Sequence, residues 1–369
     1  MRKALKITVI ILFSAIWGLG FADYDTVYPY FYRWGIITDE YRYGDLFNLS
    51  HLPEFKEEMV KCRSELTISK QSPRPVHLYV LGDSFLEPQR VDSSDFIADK
   101  YYFFKWENYM HFKLDTSAVN VVLIESIERH FRQHFEAPPV ARFKPDTANF
   151  VEKWTMPRTW MGKIDNFISS GRVGGQIGLL LMGNSYGLKF TELKSSLNYH
   201  VFDRPESSVT ISKDGRNIVY YLDTDTLNFP HTSGFSRISE SRIDSVVNSL
   251  NATRQELLDM GFDHFIFSVI PNKSTIVMPE YGVYNRLIER VQSHPDLKVP
   301  YVSVIDEYRA LGRKAFLHSD SHWTCDGRLV WLRKFNEGLN QVTTDTSGNS
   351  RADNCLGPVS MKSLVRQSL

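Results

Sequence analysis

The sequence predicts an α/β protein: a parallel sheet buried on both faces, with an irregular segment carrying a β-hairpin inserted into it. Three observations predict this. Four apolar, β-branched runs, VHLYVLGD (76–83), VNVVLIES (119–126), HFIFSVIP (264–271) and VPYVSVID (299–306), are nearly continuous in hydrophobicity, as strands covered on both faces must be. Helical patterns lie between and after these runs, and one of them leads straight into a strand. At 369 residues and 42% hydrophobic, the chain can also bury a sizeable core.

In chain order, Arg2, Lys3 and Lys6 precede an apolar run over residues 7–21, with the small residues Gly20 and Ala22 spaced like a cleavage site. Residues 1–22 therefore predict an export signal or an uncleaved N-terminal membrane anchor. Either one puts the folded part outside the cytoplasm, in the periplasm or beyond. Residues 23–75 form an extension rich in Tyr and Phe that ends in a predicted helix, LPEFKEEMVKCRSEL (52–66). Its aromatic residues suit either packing or stacking on sugar rings.

The main domain spans 76–340. Within it, about 132–231 breaks the alternation of strand and helix with Pro138, Pro139, Pro145 and Pro157. That stretch ends in SSVTISKDGRNIVYYLD (207–223), where Asp214-Gly215 marks a tight hairpin turn. SESRIDSVVNSLNATRQELLDMG (239–261) predicts a helix with Ile243, Val246, Val247, Leu250 and Leu257 on one face and Gly261 as its stop. A last helix starts near Thr324 or Asp326 and turns Leu329, Leu332, Phe335 and Leu339 inward. From Gln341 to 369 a polar tail follows.

Charge narrows the partners. Lys plus Arg and Asp plus Glu number 43 each, with no long basic run, so the electrostatic footprint of a nucleic-acid binder is missing. Cys62, Cys325 and Cys355 form no CxxC pair. They allow one disulfide plus a free thiol, or three unpaired small residues. No zinc-type spacing is present, so neither metal nor cofactor is assigned.

Reactive groups in an open α/β sheet collect at the carboxyl ends of strands. Ser84 stands there, just past the first run, in the turn Gly82-Asp83-Ser84-Phe85. Gly82 permits a sharp turn, and the N–H groups after it can face a developing oxyanion. Near the other end, LHSDSHWTCDG places Asp320 two residues before His322, so both side chains lie on one side of an extended loop, with the carboxylate able to orient the imidazole. Trp323 either stacks on a sugar or packs behind His322. Arg129 could pair with Glu125 or Glu128, and Lys273 could be a solvated loop cation. Ser185 in MGNSYG and Cys325 are weaker nucleophile candidates.

These residues resemble a known group. LGDSF with a late Asp-x-His is similar to the SGNH (GDSL-type) hydrolase superfamily. GDSF, SDSHW and the following Gly327 are similar to its alginate O-acetyltransferase branch, secreted proteins that acetylate polysaccharides. VVLIESIERHF (121–131) and VIPNKSTIVMPEYGVYNRLIERV (269–291) resemble that branch's acidic-rich strand and Pro-Asn-Lys segment, so the likeness covers most of 76–339. The pattern departs in three places: the Asp-x-His loop follows the serine instead of preceding it, no asparagine follows the VNVVLIES strand, and Pro88 shortens the helix after Ser84.

The resemblance implies a three-layer α/β/α, flavodoxin-like fold and a triad of Ser84 as nucleophile, His322 as base and Asp320 as orienter. Gly82, Asp83, Phe85, Arg129, Asn272, Lys273 and Trp323 are then expected to shape the oxyanion and substrate-binding surroundings. The implied activity is acetyl transfer to hydroxyls of an envelope or exported polysaccharide, with a membrane-bound O-acyltransferase as the partner that delivers the acetyl group. Two alternatives keep the fold: an acetylesterase, and a noncatalytic polysaccharide-binding or assembly protein.

Overall fold

The computed structural model describes residues 2–20, 24–38, 42–44, 46, 48–58, 60–63, 68–145, 161, 172–205, 207–227 and 232–344. The chain divides into two compact units, residues 1–59 with 149–207 and residues 60–148 with 208–369.

The regular elements described in the first unit are helical. That unit contains α1 (Arg2–Gly20), α2 (Tyr24–Arg33) and a 3-10 turn at Asn48–His51. No helix among the described residues is long and apolar enough to cross a membrane. The predicted cleavage site falls partly on residues 21–23, which lie outside the described ones.

The second unit holds the sheet. Its strands in chain order are β1 (Val76–Gly82), β2 (Lys100–Lys105), β3 (Met110–Phe112), β4 (Val119–Ile127) and β5 (Phe143–Pro145). The hairpin strands β6 (Val209–Ile211) and β7 (Ile218–Tyr220) follow, then β8 (His264–Ile270) and β9 (Tyr301–Val302). Five of them make one sheet in the order β2-β1-β4-β8-β9, and every pairing in it is parallel. Every residue of β1 and β4 is buried, which accounts for the unbroken apolar runs. Each fully buried Val, Leu or Ile there contributes roughly 1.5–3 kcal/mol.

Because the strands are parallel, the carboxyl ends of β1, β4 and β8 share one edge, and Ser84, Arg129 and Asn272 follow directly from those ends.

In chain order the helices continue with α3 (Glu128–His134) after β4 in the second unit, and α4 (Arg172–Met182) and α5 (Ser185–Ser196) in the first unit. The helix α6 (Glu240–Asp259) begins at Ser239, whose side chain accepts the Arg242 N–H at 3.3 Å. It buries Ile243, Val246, Val247, Leu250 and Leu257 and stops at Gly261, whose φ of +98° suits only glycine well. The remaining helices are α7 (Lys273–Val277), α8 (Leu287–Gln292), α9 (Ile305–Leu311) and α10 (Cys325–Thr344). In the β6–β7 turn, Gly215 has a φ of +69°, as the Asp-Gly pair predicts.

Four expectations need correcting. The helix predicted over 52–66 does not form in its described part: 52–58 and 60–63 are turn and irregular chain after the 3-10 turn, and 59 and 64–67 lie outside the described residues. This stretch passes from one unit to the other, so its apolar residues serve separate packings. Phe55 meets Tyr199, whereas Cys62 is bonded to Cys325. The strand predicted over 299–306 is only Tyr301–Val302, and α9 begins at Ile305. The last helix buries Trp331 together with Leu332, Phe335 and Leu339, while Leu329 is half-buried. It also runs past Gln341, the predicted start of the tail, to Thr344; residues 345–369 lie outside the described ones.

Candidate active site

At the end of β1 the chain turns sharply, and Ser84–Leu86 form a single 3-10 turn. Asp83 shapes it. One carboxylate oxygen accepts the Phe85 N–H at 3.0 Å, and the other accepts the Ile127 N–H from the end of β4 at 2.7 Å. Gly82 has to be small here, because a Cβ would lie 3.1 Å from Glu125 Oε2 and 3.2 Å from Leu86 Cδ1. None of these bonds uses the N–H of Ser84, which remains available as a donor to an oxyanion.

The partner loop arrives from just before α10. His322 Nε2 lies 2.7 Å from Ser84 Oγ, across 238 residues of sequence. On its other side, His322 Nδ1 is hydrogen-bonded to Asp320 Oδ1, and the His322 backbone N–H donates to the same oxygen at 2.7 Å. His322 is 3% exposed and Asp320 0%. Burial pushes the Asp320 carboxyl up, but the attraction of His322 and the bond to it win, holding Asp320 well below the usual carboxylate range. A buried carboxylate on Nδ1 fixes the tautomer that leaves Nε2 as acceptor for the serine proton.

The loop is held from several directions. Phe316 and Trp323 form an antiparallel bridge, closed by Leu317 N–H to His322 O at 3.0 Å and Thr324 N–H to Ala315 O at 3.0 Å. Thr324 Oγ1 accepts the Gly327 N–H at 3.2 Å and caps α10. A Cβ on Gly327 would come within 2.3 Å of Ala315 O, so glycine is required for the helix to approach the loop. Next to it, Cys325 is joined to Cys62 by a disulfide.

Three residues expected in the oxyanion and substrate-binding surroundings support the loop from behind. The Lys273 ammonium is fully buried and donates to the carbonyls of Ile218 (2.8 Å), His318 (2.7 Å) and Asp320 (3.2 Å). It ties the β7 hairpin strand to the Asp320 turn and is no solvated cation. The ring of Phe85, also fully buried, lies 4.7 Å from the imidazole of His322. Trp323 packs edge-on against Phe85 at 5.1 Å and tilts onto Trp331. It is 4% exposed, which leaves no face for a sugar.

At the end of β4, Arg129 pairs with neither Glu125 nor Glu128. Its Nη1 donates to both oxygens of Asp223 at 3.2 Å, its guanidinium sits over Tyr220 at 5.8 Å, and its backbone N–H donates to Asn272 Oδ1 at 3.0 Å. Burial raises the Asp223 carboxyl, and the Arg129 charge opposes that rise. Asn272 is fully buried and donates its N–H to Glu128 Oε2 at 2.9 Å. These contacts lock the ends of β4 and β8 to the hairpin segment. His130 follows Arg129, with its imidazole lowered mainly by burial and next by the Arg129 charge, while Asp83 opposes the shift. Sequence reasoning passed over it, although it directly follows the Glu-Arg pair at the strand end.

No protein-family model, curated protein or solved structure matches this chain. The chemistry is therefore read from the site itself. Of the weaker nucleophile candidates, Ser185 begins α5 behind Asn184, whose side chain accepts the N–H groups of Tyr186 and Gly187, so MGNSYG forms a helix cap. Cys325 is bonded to Cys62 and presents no thiol. Among the described residues no group of His, Cys, Asp and Glu could hold a metal ion.

The buried charge near the site has a measurable consequence. Glu128 accepts from the Asn272 N–H and the Thr275 hydroxyl, but burial outweighs these bonds and pushes it up to about 7 from its ordinary 4.5. Between those values the folded chain keeps a proton that the unfolded chain has lost, so stability falls as pH rises through the window and levels off above it. Glu128→Gln is expected to remove that slope. Relative to wild type, the variant should gain up to about 3 kcal/mol across the window, read from urea midpoints at about pH 5 and about pH 8.

Proposed function

We propose that this chain is a serine-dependent O-acetyltransferase with a three-layer, SGNH-like α/β/α fold. The observation that carries the proposal is the unbroken line of contacts from Ser84 Oγ through both ring nitrogens of His322 to the buried Asp320 carboxylate. His322 Nε2 takes the hydroxyl proton as Ser84 Oγ bonds to the acyl carbon of a donor. The leaving group receives that proton from the imidazolium, and an acetyl-serine ester remains. In the second half-reaction His322 takes the proton of an acceptor hydroxyl. That oxygen attacks the acyl carbon, the bond between the acyl carbon and Ser84 Oγ breaks, and Oγ takes the proton back from the His322 imidazolium.

The acceptor in this proposal is a hydroxyl of an exported or envelope polysaccharide, and a membrane-bound O-acyltransferase is the partner that delivers the acetyl group. The likeness of GDSF and SDSHW to the alginate O-acetyltransferase branch supports both. The Cys62–Cys325 disulfide supports an oxidising, extracytoplasmic location. The exposed Ile10, Ile11, Phe13 and Trp17 of α1 support N-terminal attachment to the membrane surface.

The test supplies a chromogenic acetyl ester with and without a polysaccharide oligomer, and follows products by mass spectrometry. A transferase acetylates the oligomer and carries a trappable acetyl group on Ser84. Free acetate alone, at a rate indifferent to the oligomer, would make the protein an esterase. No acetyl group on Ser84 and no turnover would leave only a binding or assembly role.

A further inference from the structure

We infer that Glu125 is a positioning residue for Ser84, acting as an un-ionised carboxylic acid that clamps the Gly82-Asp83-Ser84 turn. The inference rests on the proposed role of Ser84 but concerns a group that does not touch substrate.

Glu125 lies near the end of β4, one step beyond the Leu81–Ile124 pair that closes the β1–β4 register. Its side chain points at the turn: Oε2 accepts the Asp83 N–H at 3.0 Å and would touch any Cβ placed on Gly82. Glu125 is fully buried, and among the described residues its Oε1 has no hydrogen-bond partner. The titratable groups that face it are Asp83, Tyr101 from β2 and Tyr308 from α9. No cation is among them. The Trp106 indole donates at 3.0 Å to the Glu125 backbone oxygen and leaves the carboxyl group unassisted.

An ionised carboxylate in that place would be desolvated, unpaired and set beside the Asp83 carboxylate, an arrangement proteins avoid. A proton on Oε1 resolves both faults. It turns the orphan atom into a donor and gives the Asp83 carboxylate a third hydrogen bond, beside those from Phe85 and Ile127. Burial first, and the Asp83 charge second, push Glu125 well above the usual carboxylate range.

The clamp thus has two halves. Oε2 fixes the peptide N–H just before the nucleophile, and the acid proton fixes the carboxylate that caps the turn. Ionising Glu125 would turn the second half into a repulsion. The turn would then relax away from the geometry that puts Ser84 Oγ 2.7 Å from His322.

The experiment compares wild type, Glu125→Gln and Glu125→Leu on the acetyl ester, measuring kcat and KM from about pH 6 to about pH 10. Glutamine keeps an acceptor for the Asp83 N–H and a donor for the Asp83 carboxylate. It is expected to hold kcat within a few-fold of wild type and to erase the alkaline fall in kcat that the inference predicts for wild type. Leucine keeps the volume but loses both bonds, and is expected to lose on the order of 10²-fold in kcat with little change in KM. Infrared difference spectra of wild type minus Glu125→Gln should show the carbonyl stretch of a protonated carboxylic acid at neutral pH, a readout independent of turnover. Absence of that band, or an unchanged alkaline fall in a folded Glu125→Gln, overturns the inference. If the band is present while Ser84→Ala retains full turnover, the functional proposal fails and the protonated clamp stands.

Discussion

Ser84→Ala is expected to lower turnover of an acetyl ester by on the order of 10⁴-fold, with the melting temperature nearly unchanged. The hydroxyl contributes little to the packing around it. Ser84 is half-buried, and the turn is held by the Asp83 carboxylate, which accepts the N–H groups of Phe85 and Ile127, through bonds that do not involve Oγ. The loss should appear in kcat, because the covalent ester cannot form, and the acetyl group trapped on the wild-type protein should vanish. A variant that still acetylated a saccharide at the wild-type rate would remove Ser84 from the chemistry and leave the Ser84–His322 contact as packing alone.

Asp320→Asn should be nearly as costly to turnover, also on the order of 10⁴-fold, but for a different reason. The asparagine amide can present N–H to Nδ1, which favours the tautomer with its proton on Nε2, where it can no longer accept from Ser84. The wild-type contact has the opposite sense, with Nδ1 donating to the carboxylate and Nε2 left basic. Unlike Ser84→Ala, this change should also destabilise the fold. The Asp320 oxygen that bonds the imidazole accepts the His322 backbone N–H as well, both residues being buried, and weakening a buried charge-assisted bond costs about 1.5–3 kcal/mol. Urea denaturation of the two variants side by side would show the difference. A stable Asp320→Asn with full activity would show that the carboxylate orients nothing.

The sheet was legible because burial on both faces leaves a plain mark: unbroken apolar runs that became β1, β4 and β8. The fifth strand was missed. As an edge strand, β2 has the sequence KYYFFK with an alternating, half-exposed pattern and is flanked by charge, so no continuous run announces it. The Gly82-Asp83-Ser84 turn and the Asp-x-His loop were legible from local spacing. Their 2.7 Å contact was not, because the closure joins sites 238 residues apart.

The residues around the site were harder to read, since their roles depend on what they meet. Lys273 has the sequence of a loop cation, and only the fold shows its ammonium enclosed by three carbonyls. Arg129 had two carboxylates close by in sequence and chose Asp223, 94 residues away. The Cys62–Cys325 pairing likewise needed the fold, because three cysteines allow several outcomes.

That cross-link encloses a ring of chain with a sequence separation of 263 residues, and Ser84, Asp223, Lys273, Asp320 and His322 all lie inside it. One broken peptide bond anywhere in the ring would therefore release no fragment. A singly nicked molecule should migrate as one species until a thiol reductant is added, with Ser84 and His322 still held on a common covalent frame.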